Sequence, residues 1–357
     1  VERTKDGRIL LVVSEDSTYA RKSGRKMPGI DFFLDTSAIT KGSKWIRGHC
    51  WMLLSVMLPI PGVGWVHFPI RCGLFVRKAS SPSGTFVPML EVALGLIRAT
   101  LSAEYFSLVV VADSFFAKKI YADALIALGH VLVARLRKDA VGYTLPVQEG
   151  KRKRGRPKKY GDRVKLMSLL DKKCPAHTMK IHINGNDESI EVAHGVFSVK
   201  WCARPLLVVA VQSNKGRVLL MSTDVKMAPE RVIELYAARF GIEMLFRDMK
   251  QYLGFTEYQV RNRKSTEKVT FLILMAYSVI RWLSLQDEGL KQEVKSCLSD
   301  PWRAEMPKFS FVTFLQVTIG ILFTTRNLCM IGGKTKLSEN ALSVTVHGSG
   351  KGEDSKL

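Results

Sequence analysis

Two runs of apolar residues have no alternation. "RILLVV" (Arg8–Val13) leads into Ser14-Glu15-Asp16, and "YFSLVVVAD" (Tyr105–Asp113) ends in an acid. Runs of this kind are expected of strands buried on both faces of a sheet. Between them, Trp45–Leu58 and Trp65–Val76 flank "PIPGVG" and read as antiparallel strands joined at a Pro/Gly turn. Helical periodicity follows over Pro88–Leu101, then a helix in "KKIYADALIALG" that stops at Gly129, then a strand in "HVLVARLR". The predicted order is β-β-β-α-β-α-β, with two central strands each delivering an Asp near the carboxyl end, where mixed α/β sheets place their sites.

From about Gly142 to Met227 the pattern becomes β-rich. A basic Gly/Pro stretch, "GKRKRGRPKKYGDRVKL", precedes strands expected at Lys180–Ile183, Ser189–Val192 and Leu206–Val211. A helix then spans Glu234–Gly254, with Pro229 near its first turn and Gly254 just past its end. At about 100° per residue, Tyr236, Arg239, Glu243 and Lys250 fall on one stripe roughly 60° wide. Ile233, Ala237, Phe240 and Met244 form an apolar stripe beside it, which predicts the core face. Helical segments follow at Lys268–Ser284 and about Ser310–Thr324, and the polar residues after Gly332 read as a disordered tail.

The chain has 357 residues, 46% of them hydrophobic, enough for two or three domains or for one core with a large insertion. Lys and Arg total 54 against 32 Asp and Glu, a formal net charge of +22. That excess favours a polyanionic partner. The apolar runs read as too short to span a bilayer, and no secretory leader is read, so nucleic acid is the expected partner rather than a membrane. Six scattered cysteines with no C-x-x-C pair argue against a zinc site or a disulfide framework and favour a reducing cytoplasm. Val1 in place of Met is compatible with a segment before it.

Asp16, Asp113 and Glu243 make a three-carboxylate set. Hard oxygen donors with open positions suit Mg²⁺ or Mn²⁺. Such ions can activate a water or a 3′-hydroxyl for phosphoryl transfer, and a basic chain offers them a phosphodiester. Each acid taken alone is equally compatible with a helix cap or a surface charge.

"ILLVVSEDSTYARKSGRKMPG", "LVVVADSFFAKK" and the Tyr236-x2-Arg239-x3-Glu243-x6-Lys250 spacing together resemble bacterial insertion-sequence DDE transposases of the family-four type, which carries the Tyr-Arg-Glu-Lys signature. The resemblance runs from about Arg8 to Arg281. It implies a ribonuclease-H-like mixed α/β sheet with flanking helices, interrupted by a β-rich insertion and followed by a helical C-terminal part. The corresponding divisions are 1–141, 142–227, 228–284, 285–332 and a tail at 333–357. It further implies cut-and-paste movement of DNA, with Mg²⁺ held by Asp16, Asp113 and Glu243, and DNA phosphates gripped by Tyr236, Arg239 and Lys250. The partners implied are double-stranded DNA (transposon terminal inverted repeats and target) and a second copy of the chain, as a homodimer on paired ends. Asp35, in "FLDTS", is the rival first acid, but it lies where a turn residue is expected. A stand-alone metal-dependent nuclease and a catalytically silent DNA-binding descendant are the competing readings.

"KRKRGRPKK" (Lys151–Lys159) is either a minor-groove hook, with Arg154, Arg156, Lys158 and Lys159 entering or flanking the groove, or a solvated basic loop. Trp201 could stack on an unpaired base, as an insertion-domain Trp does in some relatives, or sit in the core. Lys118 and Lys119 follow Asp113 and could touch DNA or simply begin a solvated helix. "IGGKT" lacks the first glycine of a phosphate-binding loop and is set aside. Gly241 sits mid-helix at a cost of about 1 kcal/mol relative to Ala, with no reason visible in the sequence.

Overall fold

A computed structural model of the chain describes residues 2–24, 26–34, 45–146, 158–171, 177–183, 186–286, 311 and 315. The chain divides into two compact units, Val1–Asp287 and Glu288–Leu357. The sheet and helices described below lie in the first. The expected helix at 310–324 and the tail at 333–357 fall outside the described residues, apart from residues 311 and 315.

Strand β1 (Ile9–Arg21) is longer than its apolar run. Its polar second half continues as a strand because it pairs antiparallel with β3 (Trp45–Ile60), Asp16 opposite Leu53 and Arg21 opposite Gly48. Asp16 therefore lies inside a strand, not after one as the sequence suggested. The far edge of β3 is shared by a short strand missed in the sequence, β2 (Asp31–Leu34), and by β4 (Gly64–Phe75). After helix α1 (Met89–Thr100), β5 (Phe106–Ala112) lies parallel to β1, in a register running from Ile9–Phe106 to Glu15–Ala112. Helix α2 (Lys119–Ala127) returns the chain to β6 (Val131–Leu136), parallel to β5.

Beyond β6, β7 (Val141–Tyr143) and β8 (Arg163–Lys165) form a separate two-stranded sheet. The next four strands are β9 (His177–Ile183), β10 (Asn186–Phe197), β11 (Leu206–Ser213) and β12 (Gly216–Ser222). They continue the main sheet, which runs β2-β3-β1-β5-β6-β12-β11-β10-β9 with β4 also on β3. The four join through β12, antiparallel to β6.

Alternation along β5 divides the core. Leu108, Val110 and Ala112 pack toward α1 and α2, while Val109 and Val111 pack with Val12 toward α3 (Pro229–Ala238). None of these β5 side chains is more than 5% exposed, and each large one contributes about 1.5–3 kcal/mol by leaving water. The last elements are α4 (Gly241–Tyr252) and α5 (Arg263–Gln286).

By length and composition α5 could cross a bilayer, over Arg263–Leu285, which corrects the reading that every apolar run is too short. The helix starts earlier and ends later than the segment expected at Lys268–Ser284. Here α5 lies on β4, with Thr266, Thr270, Leu274 and Tyr277 buried on one face and Ser278 Oγ donating to the Pro69 carbonyl (3.2 Å).

Candidate active site

The expected single helix over 234–254 is two helices. At the joint, Ile242 N bonds to Arg239 O (3.0 Å) and Glu243 N to Phe240 O (3.0 Å), an i→i−3 pattern that overwinds the turn. The Ala238 carbonyl is thereby left without its helical partner and accepts from His67 Nε2 at 2.9 Å. A β-carbon on residue 241 would stand 2.6 Å from that Nε2, so the close approach of the imidazole requires glycine. At the other end of α4, Gly254 takes φ +66°, the left-handed turn glycine expected there.

The break also rotates the predicted core face away. Phe240 is 49% exposed, and Ala237 and Met244 are half-buried; of that stripe only Ile233 is buried. The faces that pack are Val232, Ile233 and Leu235 on α3, and Ile242, Leu245, Phe246 and Met249 on α4.

Pleat parity puts the two acids of β1 on opposite faces of the sheet. Glu15 faces α2, where it is fully buried and accepts a hydrogen bond from the Tyr121 hydroxyl. Burial pushes its carboxyl up to about 8 against that bond. Asp16 points to the opposite face, toward α3 and α4. Because Glu15 is level with Ala112 in the parallel pair, Asp16 is level with Asp113, one residue beyond β5. Asp113 Oδ1 accepts from the Phe115 amide (2.8 Å) and Asp16 Oδ1 from the Ser17 amide (2.7 Å), so each acid has its other oxygen outside these bonds.

Arg239, at the helix joint, bridges two of the acids. Its Nη1 donates to Asp16 Oδ2 (2.9 Å) and its Nη2 to Glu243 Oε1 (2.7 Å). The Arg239 and Asp16 side chains are 12% and 19% exposed, Glu243 44%. Burial pushes the Asp16 carboxyl up to about 6; Arg239 pulls it down, while Asp113 and Glu243 push it further up. Tyr236 lies with its ring 5.6 Å from the Arg239 guanidinium carbon, and burial raises its hydroxyl pKa. Arg239 Nε is buried, with no hydrogen-bond partner among the described residues. Lys250 is half-buried on α4, about two turns beyond Glu243.

Asp16, Asp113, Glu243, Tyr236 and Arg239 therefore form one electrostatic cluster at the junction of β1, β5, α3 and α4. A family model for the transposase DDE domain matches residues 88–279, more than half of the chain. The chain belongs to the transposase DDE domain family. No curated protein matches it. The large mixed sheet with flanking helices agrees with the ribonuclease-H-like architecture of DDE domains. DDE transposases act on DNA and are generally dependent on divalent metal. Asp113 and Glu243 lie inside the stretch matched to the DDE domain; Asp16 lies before it.

The donor set suits a hard cation, and mutual repulsion of the acids at Asp16 is the imbalance such an ion would relieve. The site is not a preformed ligand cage. Among the described residues no group of three His, Cys, Asp or Glu side chains stands ready to ligate a metal, and the cation joining Asp16 to Glu243 is Arg239.

The remaining candidates lie elsewhere. Asp35, Arg154 and Arg156 are outside the described residues. Lys158 and Lys159 are exposed ahead of β8, Lys159 Nζ standing 5.5 Å from the Tyr160 ring. Trp201 is half-buried against the core on the α1–α2 side. Lys118 Nζ stands 4.2 Å from the Phe115 ring centroid, and Lys119 pairs with Asp123. The described cysteines, Cys50, Cys72 and Cys202, are free thiols. His67 was missed in the sequence. Its only signal was the unexplained Gly241, which marks a close approach without naming what approaches.

Proposed function

We propose that this chain is the catalytic region of a bacterial insertion-sequence transposase of the Tyr-Arg-Glu-Lys type. It nicks transposon ends and transfers the freed 3′ ends to target DNA by cut and paste. The observation that carries this reading is the convergence of Asp16, Asp113 and Glu243 from two parallel strands and one helix, with Arg239 spanning two of them.

Asp16, Asp113 and Glu243 would hold Mg²⁺ or Mn²⁺, which supplies activation of the attacking hydroxyl and stabilisation of the leaving oxygen. Around that position the chain's own groups bind and orient the substrate. Arg239 gains two donors for a phosphate when Asp16 and Glu243 are released from it. Tyr236 and Lys250 supply a rigid hydroxyl and a point charge on the same side. Terminal inverted repeats and target DNA are the double-stranded substrates, two copies of the chain act on paired ends, and the bacterial nucleoid is the setting. The strands after β6 serve as the insertion carrying the basic 151–159 segment.

The test is a joining assay with Mg²⁺, labelled element ends and a supercoiled target. Joined product that needs metal supports the reading. Cleavage without joining points to a stand-alone nuclease. DNA binding with no metal-dependent product points to a silent descendant.

A further inference from the structure

From the acid site, β1 and α4 run side by side in one direction. At their near ends Arg239 holds Asp16. At their far ends Lys22 Nζ donates to the carbonyls of Thr256 (2.9 Å) and Tyr258 (2.5 Å). Between Asp16 and Arg21 lie about 16 Å of strand at roughly 3.3 Å per residue. Between Glu243 and Tyr252 lie about 14 Å of helix at roughly 1.5 Å per residue.

A groove of about 490 Å³ opens at that far end, between residues 21–24, 26 and 27 on one side and 256–261 on the other. Arg21, Lys26 and Arg261 are exposed along it, and none has an ion-pair partner among the described residues. Glu257 is the single acid among its described lining residues. The walls are fixed from beneath. Trp51 Nε1 donates to the Tyr258 hydroxyl (2.9 Å), which bonds to His49 Nδ1 (2.7 Å), and His49 Nε2 donates to the Pro28 carbonyl (3.0 Å). Buried Lys22, 3.4 Å from the Tyr258 ring centroid, completes the floor. A concave, braced surface with three uncompensated cations differs from a solvated basic loop, whose side chains have no shared geometry.

We propose that this groove is a second DNA-backbone site, taking phosphates of a duplex whose scissile phosphodiester lies at the acids. At about 3.4 Å per base pair, the ~15 Å separation corresponds to four or five base pairs of flanking DNA. Arg21 and Arg261 fork onto phosphate oxygens and Lys26 adds a point charge. Such contacts fix the register of the duplex without reading its sequence. This inference rests on the reading of the chain as a DNA-acting transposase.

The experiment uses the full chain and a labelled random-sequence duplex of about 40 base pairs, with affinity measured from about 50 to 200 mM salt, the range over which phosphate contacts dominate. Arg21→Ala/Lys26→Ala/Arg261→Ala is expected to bind at least about tenfold more weakly, with the slope of log affinity against log salt smaller by about 2–3. Arg21→Lys/Arg261→Lys, which keeps the charges, is expected to keep most of the slope. A triple variant with wild-type affinity and slope overturns the groove and leaves the DNA reading intact. Wild-type chain that shows no salt-dependent duplex binding overturns both.

Discussion

His67 Nε2 donates a 2.9 Å hydrogen bond to the carbonyl of Ala238, 171 residues further along the chain. That bond takes up a carbonyl released where α3 gives way to α4, and it lies one residue from Arg239. On its other side His67 Nδ1 meets Ser14 Oγ and Ser55 Oγ, each at 3.2 Å. Ser14 is on the same strand face as Asp16. One neutral imidazole therefore ties the carboxyl end of α3, beside the joint into α4, to the strand that carries Asp16.

Gly241→Ala is expected to destabilise the protein by about 1–3 kcal/mol, the usual cost of forcing an extra group into a packed site. Helix propensity alone predicts the opposite sign, a gain of about 1 kcal/mol. Urea unfolding separates the two, and a midpoint equal to or above wild type would count against the His67 contact as the reason for glycine.

Burial lowers the His67 pKa to about 4 from an ordinary value near 6.5, against the pull of the Ala238 carbonyl. The folded pKa lies below the unfolded one, so this stabilising contribution is fully present above about pH 6.5 and is lost as pH falls toward 4. Within that window each such histidine steepens the fall by up to about 1.4 kcal/mol per pH unit. His49 and His130 are shifted the same way. His67→Gln is therefore expected to flatten the decline without abolishing it. Identical slopes in the variant and wild type would refute the assignment.

The strands that the sequence made legible are those whose burial is written into a continuous run. "RILLVV", "YFSLVVVA" and "HVLVARLR" have apolar residues on both faces because both faces of the sheet are covered. The polar half of β1 was not legible, since its strand conformation comes from pairing with β3 rather than from its own residues. Nor was the helix break. The 3.6-residue period assumed one axis through Phe240, whereas His67 ends that axis at Ala238 from a position remote in sequence. The face of the sheet on which Asp16 stands needed the pleat, although Asp16 itself was named from the sequence.

Tyr258→Phe removes one hydroxyl and leaves Trp51 Nε1 and His49 Nδ1 buried without their shared partner. A loss of about 1–3 kcal/mol is expected. Hydrogen exchange should show faster opening of residues 255–260, which Lys22 also braces. Unchanged protection there would mean that the Tyr258 hydroxyl does not secure the wall of the groove.

Arg239 gives the sharpest test of the acid site. Lysine at 239 keeps the charge but cannot present two separated N–H donors to Asp16 and Glu243. Arg239→Lys and Arg239→Ala are therefore both expected to lower nicking by about 10²–10³-fold, the scale of losing one fixed donor at a transition state. Asp113→Asn and Glu243→Gln should bind element ends as wild type does and give no nick. Asp16→Asn should behave like them, while Asp35→Asn keeps nicking. If Asp16→Asn nicks normally and Asp35→Asn does not, the first acid is Asp35, and the Asp16–Arg239 pair is a structural tie rather than part of the catalytic set.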